Sequence, residues 1–208
     1  MKHIYIIRHG QTDYNKRGIV QGSSVDTSLN DTGRQQADMF YEAYKDIPFD
    51  KIYTSKLQRT HQSVQKFIDK NIPWEHHQGL NEISWGEFDG KLSSKEDKEH
   101  YLSIMQKWTN GETNLSIGGG ESPEEVKLRQ APVWDLILSR EEEKNVLVCI
   151  HGRALRILMC HVNNVPLTEM ESFDHDNLCL YLLEYDGNLL EVKKTNCLLH
   201  LKEMKNMQ

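Results

Sequence analysis

Ile4-Tyr5-Ile6-Ile7-Arg8-His9-Gly10-Gln11-Thr12 is the stretch on which the reading of the whole chain turns. Its first four residues are apolar or aromatic with no polar alternation, which suits a strand covered on both faces in the middle of a parallel sheet. Polarity begins where that strand should end, with a cation, an imidazole and a glycine in succession. In open α/β sheets the ligand crevice lies beyond the carboxyl ends of the strands. The stretch therefore puts chemistry-bearing groups where such folds bind ligands, although a buried strand with a polar end would read the same way in isolation.

A second strand ends identically. Asn145-Val146-Leu147-Val148-Cys149-Ile150 is an apolar run that leads into His151-Gly152, with a helix expected from Arg153 to about Val162. Between these two strands, Lys51-Ile52-Tyr53-Thr54 reads as a short strand, and helices are expected over 31–45 (capped by Asn30) and 57–70. This alternation marks a parallel sheet with crossover helices. Residues 10–29 read as a long polar loop, and loops of that length in a compact domain are usually functional. Residues 72–121 break the rhythm; with Pro73, Trp74, Trp85, Trp108 and Gly118-Gly119-Gly120 they read as a lid inserted over the crevice and hinged by glycines. Ser122-Pro123-Glu124-Glu125 is a helix start with cap, first-turn proline and capping-box glutamate, and its helix should run to about Glu142. Leu178–Tyr185 and Leu189–Val192 form an expected hairpin across Asp186-Gly187, and 202–208 a frayed tail. The expected fold class is α/β: three αβα layers, a mostly parallel central sheet and the inserted lid at about 72–121, in a single domain spanning 1–208.

With 208 residues, the chain is long enough to bury a sizeable core, and 27% charged against 38% hydrophobic residues is ordinary for a soluble protein. A net charge of -6 leaves no basic excess for a nucleic-acid backbone, so no nucleic-acid partner is expected. No apolar run approaches the roughly 20 residues of a membrane helix. Met1-Lys2-His3 runs straight into the first strand without a signal peptide, and Cys149, Cys160, Cys179 and Cys197 include no Cys-x-x-Cys pair. A cytoplasmic protein with reduced core thiols is expected.

Neighbouring parallel strands bring their ends together, so His9 and His151 should lie a few ångströms apart, with Arg8 beside them. An acidic protein that gathers positive groups at one point is most simply explained by a bound dianion such as a phosphate monoester, for which arginine supplies paired donors. Ser55-Lys56-Leu57-Gln58-Arg59-Thr60 aims Arg59 at the same crevice from a strand end and a helix N-terminus. Glu82, in Leu80-Asn81-Glu82-Ile83-Ser84-Trp85-Gly86, sits among apolar and aromatic neighbours, where desolvation favours the neutral carboxyl that a general acid needs.

Together these motifs resemble the histidine phosphatase superfamily, which includes the cofactor-dependent phosphoglycerate mutases. Arg8 to Thr12 resembles its signature, Ser55 to Thr60 its Ser-x-Leu-x-Arg-Thr element, Glu82 with Gly86 and Gly90 its acid loop, and His151-Gly152 its second histidine. Leu29 to Ala37 matches the helix after the first loop, and the resemblance covers roughly residues 4–185. It implies that His9 is the nucleophile and forms a phosphohistidine. Arg8, Arg59 and His151 would bind the transferring phosphoryl group, and Glu82 would protonate the leaving alkoxide and then activate water. Asn15, Gln21 and Gly22 stand where the family contacts substrate or phosphate. Two positions depart from the pattern. Asp89 replaces a more usual glutamate, and Arg153 follows His151-Gly152 where a small residue is common, either extending the anion site or pointing outward.

The expected function is a metal-independent phosphomonoesterase acting on a small phosphorylated metabolite, with no cofactor and no metal. His76-His77 and Asp174-His175-Asp176 read as surface histidines, because adjacent histidines do not share a helix face. The alternatives are a phosphoglycerate mutase-type transfer and a non-catalytic phosphate-binding module. Against the first, the family's mutases carry Glu-Arg-His-Tyr-Gly at the acid loop, where this chain has Ile83-Ser84-Trp85-Gly86 after Glu82. Against the second, no catalytic residue is missing. Oligomeric state is not legible in the sequence.

Overall fold

Side chains along the two central strands alternate strictly between two apolar cores, as a period of two requires. The computed structural model describes residues 1–91 and 94–202. In β1 (Lys2–Arg8), Ile4 and Ile6 face one core while Tyr5 and Ile7 face the other. In β4 (Asn145–Ile150), Val146, Val148 and Ile150 face the first core and Leu147 and Cys149 the second. Both strands are buried on both faces, which explains their continuous apolar runs.

The sheet has six strands in the order β3-β2-β4-β1-β5-β6, completed by β2 (Lys51–Thr54), β3 (Trp74–His76), β5 (Leu180–Tyr185) and β6 (Leu190–Cys197). β1, β4, β2 and β3 pair in parallel, and β5 is antiparallel to both β1 and β6. Helices α2 (Asp31–Tyr44) and α3 (Gln58–Ile68) cover one face through Phe40, Val64 and Phe67. Helices α5 (Pro123–Ser139) and α6 (Gly152–Val162) cover the other through Trp134, Ile137, Leu155 and Leu158. This is the expected three-layer arrangement.

Three local readings change. The loop 10–29 contains a short helix, α1 (Asp13–Arg17), made by a capping box in which Thr12 and Asn15 exchange hydrogen bonds. Residues 74–76 join the sheet as its edge strand, so the segment that leaves the fold begins after them. Gly118 and Gly120 form a seam rather than an open hinge. A Cβ on Gly120 would lie 2.1 Å from the Ser84 carbonyl, and one on Gly86 would lie 1.9 Å from the Gly118 carbonyl. The acid loop and the glycine triplet are thus in backbone contact, tied by Glu87 N–H to Gly118 O and Glu121 N–H to Ser84 O. Beyond the loop, α4 (Lys95–Thr109) packs Ile104 and Trp108 into a third apolar cluster with Ile83, Trp85, Ile117 and Ile157. Of the expected frayed tail, 203–208 lie outside the described residues. Among the described residues no helix is long and apolar enough to cross a membrane.

The first turn of α2 is set against the loop that follows β1. Asn30 caps the helix by accepting from Gly33 N–H at 2.9 Å, and its own N–H donates to Gln11 O at 3.0 Å. A Cβ on Gly33 would meet Gln11 O at 2.1 Å, so only glycine lets the helix approach this closely. Gly33→Ala should lower stability by about 1–3 kcal/mol, the usual range for overpacking, read as a drop in the urea midpoint. An unchanged midpoint would show that the helix can move away freely.

Candidate active site

The parallel register of β1 and β4 opposes Arg8 to Ile150, and His9 N–H donates to Ile150 O at 3.0 Å. The two chains therefore leave the sheet at one level, and the His9 and His151 rings face each other with centroids 5.1 Å apart. His9 Nδ1 donates to the Gly10 carbonyl at 2.7 Å. A carbonyl can only accept, so the proton sits on Nδ1 and Nε2 keeps its lone pair. Burial, reinforced by the Arg59 and Arg8 charges, holds the His9 imidazole well below its ordinary protonation range. The result is a neutral imidazole of fixed tautomer whose Nε2 is unprotonated.

His151 has the opposite tautomer. Arg59 Nε donates to its Nδ1 at 3.1 Å, so Nε2 carries the proton and donates to Ser55 Oγ at 2.8 Å. Burial and the same cations, Arg59 foremost, keep it neutral. Ser55 Oγ also accepts from Leu57 N–H and contacts Thr60 Oγ1, which fixes the hydroxyl that receives the imidazole proton.

Arg59 is fully buried. Besides His151, its guanidinium donates to Val25 O at 2.6 Å and Gly22 O at 3.3 Å, and burial brings its pKa down to about 10. Arg8 donates from one terminal nitrogen to His175 O at 2.6 Å and lies 3.3 Å from His175 Nδ1. Its Nε is buried and has no hydrogen-bond partner among the described residues. The expected helix N-terminus at α3 is not free for an anion, because Asp26 Oδ1 accepts from Gln58 N–H at 2.8 Å.

Glu82 is 7% exposed, as its apolar neighbours suggested. Its oxygens are not bare, however. Oε1 accepts from Ile83 N–H and Ala154 N–H at 2.9 Å each, and Oε2 accepts from Arg153 N–H at 3.1 Å. The first turn of α6 thus fixes the carboxylate's orientation. The loop behind it is braced by Arg129, which donates to Glu82 O at 3.0 Å and to both Glu121 oxygens, one of which also accepts from Ser84 N–H at 2.9 Å.

Arg8, His9, Asn15, Gln21 and Glu82 line one open cavity of about 400 Å³. Arg59 and His151 stand behind it. Gly22 does not reach it; its N–H donates to Asp89 Oδ1 at 2.8 Å, and a Cβ there would strike that carboxylate. Asp89 also accepts from Ser24, so the unusual residue serves as a brace between the two loops. Asn15 holds its carbonyl oxygen in the α1 cap, and Gln21 Oε1 accepts from Thr12 and Thr27. A larger cavity of about 540 Å³ opens between Lys2, Lys144 and Tyr185 and is lined by none of these side chains.

His175, expected on the surface, lines the site instead, with burial and the Arg8 and Arg156 charges bringing its pKa down to about 3. Asn177 was also missed; it donates to His9 O at 3.0 Å. Both precede β5, whose antiparallel pairing with β1 puts its start beside the end of β1. The one available signal was a polar Asp-His-Asp-Asn run ahead of an apolar strand.

Residues 4–198 match the model of the histidine phosphatase superfamily, branch 1. The chain belongs to this superfamily. It is 27% identical to a probable phosphatase of Schizosaccharomyces pombe over 203 residues, covering 92% of this chain and 87% of the relative. It is 26% identical to a 2,3-bisphosphoglycerate-dependent phosphoglycerate mutase of Cytophaga hutchinsonii over 191 residues, 89% of each chain. Among solved structures, the alpha-ribazole phosphatase of Shigella flexneri superposes with a TM-score of 0.83 at 22% identity, covering 94% of this chain and 96% of that one. The histidine phosphatase fold and the paired histidines expected from the sequence are therefore in place.

The three lowered imidazoles at the site, together with His200, which burial also lowers, make stability pH-dependent. Unfolded histidines take up protons near pH 6.5, whereas His9, His151 and His175 in the fold do so only at lower pH. Below about pH 6.5 the unfolded state binds more protons, so stability falls by up to about 1.4 kcal/mol per pH unit for each histidine. Urea unfolding at about pH 7.5, 6.5 and 5.5 should show this loss above the carboxylate range, with a shallower slope in His175→Asn. A flat profile would contradict the buried neutral assignment.

Proposed function

We propose that this chain is a metal-independent phosphomonoesterase that hydrolyses a small phosphorylated metabolite through a phosphohistidine on His9. The observation that supports the reading is one cavity lined both by His9, a buried, neutral imidazole whose Nε2 keeps its lone pair, and by Arg8, a guanidinium whose Nε has no partner among the described residues. A phosphoryl dianion supplies what both lack, an electrophilic phosphorus and acceptor oxygens.

In the first step His9 Nε2 attacks phosphorus, the N–P bond forms and the ester P–O bond breaks. Glu82 gives its proton to the departing alkoxide. In the second step the Glu82 carboxylate takes a proton from water, the water oxygen attacks phosphorus and the N–P bond breaks. Ester and water have become alcohol and phosphate, and His9 is neutral again. Charge in such a transfer spreads over the equatorial oxygens, so positioned donors supply most of the catalysis. Arg8 meets the phosphoryl group directly. Arg59 acts from behind, with its charge and its bond to His151.

The insertion from the acid loop to Gly120 covers one side of the cavity through Trp85 and Tyr101, and in this reading it selects the substrate. Four free cysteines support a reducing, cytoplasmic setting.

Phosphate release from an aryl phosphate tests the proposal. His9→Ala should fall to background, and Arg8→Ala should lose on the order of 10²–10³ in kcat. Undiminished hydrolysis by His9→Ala would overturn the nucleophile assignment, and isomerisation of phosphoglycerate outpacing phosphate release would favour the mutase.

A further inference from the structure

The cationic end of the cavity occupies only part of its wall. Away from Arg8 and His9 the lining becomes Ile19, Val20, Trp85 and Tyr101, with Arg153 beside the two aromatic residues. Gly18, Val20, Trp85 and Tyr101 also line an adjoining cavity of about 200 Å³, which continues to Phe88 and Ile117. The two spaces share a wall, and the second is an apolar annex of the first. Trp85 and Tyr101, with ring centroids 5.5 Å apart, border both spaces, so their common boundary is aromatic. The charged residues lining the annex, among those described, are Asp97 and Lys98, adjacent on α4 and opposite in sign.

Arg153 is the side chain that could have made this region a second anion site. It is 6% exposed, and its guanidinium is already engaged. It pairs with Glu171, donates to Tyr101 Oη at 3.1 Å, and lies 6.0 Å and 5.6 Å from the Trp85 and Trp108 ring centroids. Arg156 shares the Glu171 carboxylate and donates to Phe173 O at 2.8 Å, away from the cavity lining. Arg153 thus fastens the aromatic wall instead of offering a fork to a second phosphate or carboxylate. That resolves its two sequence readings in favour of a third, a packing role from α6 against the insertion's aromatic side chains.

We infer that the preferred substrates are phosphate monoesters whose alcohol carries a flat apolar body and no second anionic group, with the phosphate at Arg8 and His9 and the apolar body in the annex. This rests on the phosphatase reading for the identity of the anion, but its test does not depend on turnover. Burial of an apolar side-chain-sized group is worth about 1.5–3 kcal/mol, on the order of 10- to 100-fold in affinity. Polar and doubly anionic alcohols gain nothing from such walls and must shed water to enter them.

Phosphonates are not hydrolysed, so their binding reports recognition alone. Calorimetric titration of the intact protein with 2-phenylethylphosphonate and with 3-phosphonopropionate should show the phenyl compound binding at least about tenfold tighter. Val20→Asp, which puts a carboxylate on the shared wall, should cut that preference about tenfold or more, and Val20→Ala should cut it less. Equal or tighter binding of phosphonopropionate by the unmodified protein would overturn the inference, as would a folded Val20→Asp with an unchanged ratio. The phenyl preference without phosphate release from any ester would sustain the annex and sink the phosphatase reading; phosphate release without the preference would do the reverse.

Discussion

Two guanidiniums, Arg59 wholly buried and Arg8 half-buried, with no carboxylate in contact among the described residues, are the constraint around which this structure is arranged. Arg59 is wholly buried, and its donors go to two carbonyls and an imidazole; Arg8 directs one nitrogen at a carbonyl and leaves Nε without a partner. Burying a cation is expensive unless it is paired. The fold offsets the expense with neutral acceptors, while Glu82 stabilises both arginines from a distance. The same positive field keeps His9 and His151 neutral. One electrostatic arrangement thus gathers positive charge at one point and leaves the His9 lone pair free, the two conditions that the proposed phosphoryl transfer requires.

Positioning comes from backbone contacts rather than from long side chains. The β1–β4 register sets the two histidines at one level, and the Gly33 approach fixes the chain just beyond His9. The acid loop is held from two sides, by the first turn of α6 at the Glu82 carboxylate and by Arg129 and Glu121 at its backbone. Interlocked glycines then join this loop to the end of the insertion. A displacement of the insertion would move Trp85 and Glu82 together, which in the proposed mechanism links the wall that would recognise the alcohol to the group that would protonate it.

Much of this was legible in the residues because the signals are local. Continuous apolar runs mark β1 and β4, capping patterns mark α2 and α5, and polar residues at strand ends mark the site. What escaped the sequence depends on distance in the chain. His175 and Asn177 reach the site because β5 runs antiparallel beside β1, and strand order is not written in any one stretch. The edge strand Trp74–His76 has only three residues and no apolar alternation. Gly22 was carried over by resemblance, yet close packing against Asp89 uses it structurally. Arg153 follows a catalytic dipeptide in sequence but is bound by Glu171 and Tyr101, far along the chain.

The central claim is that phosphoryl transfer passes through a covalent bond to His9 Nε2. The most direct measurement is rapid quenching of the protein with an aryl phosphate into alkali, where phosphohistidine survives, followed by intact and fragment mass analysis. Glu82→Gln, which slows the water attack, should raise the trapped fraction. The account predicts a gain of one phosphoryl group, labile to acid and located on His9. A phosphoryl group on any other residue, or steady turnover with none on the protein in either form, would contradict it.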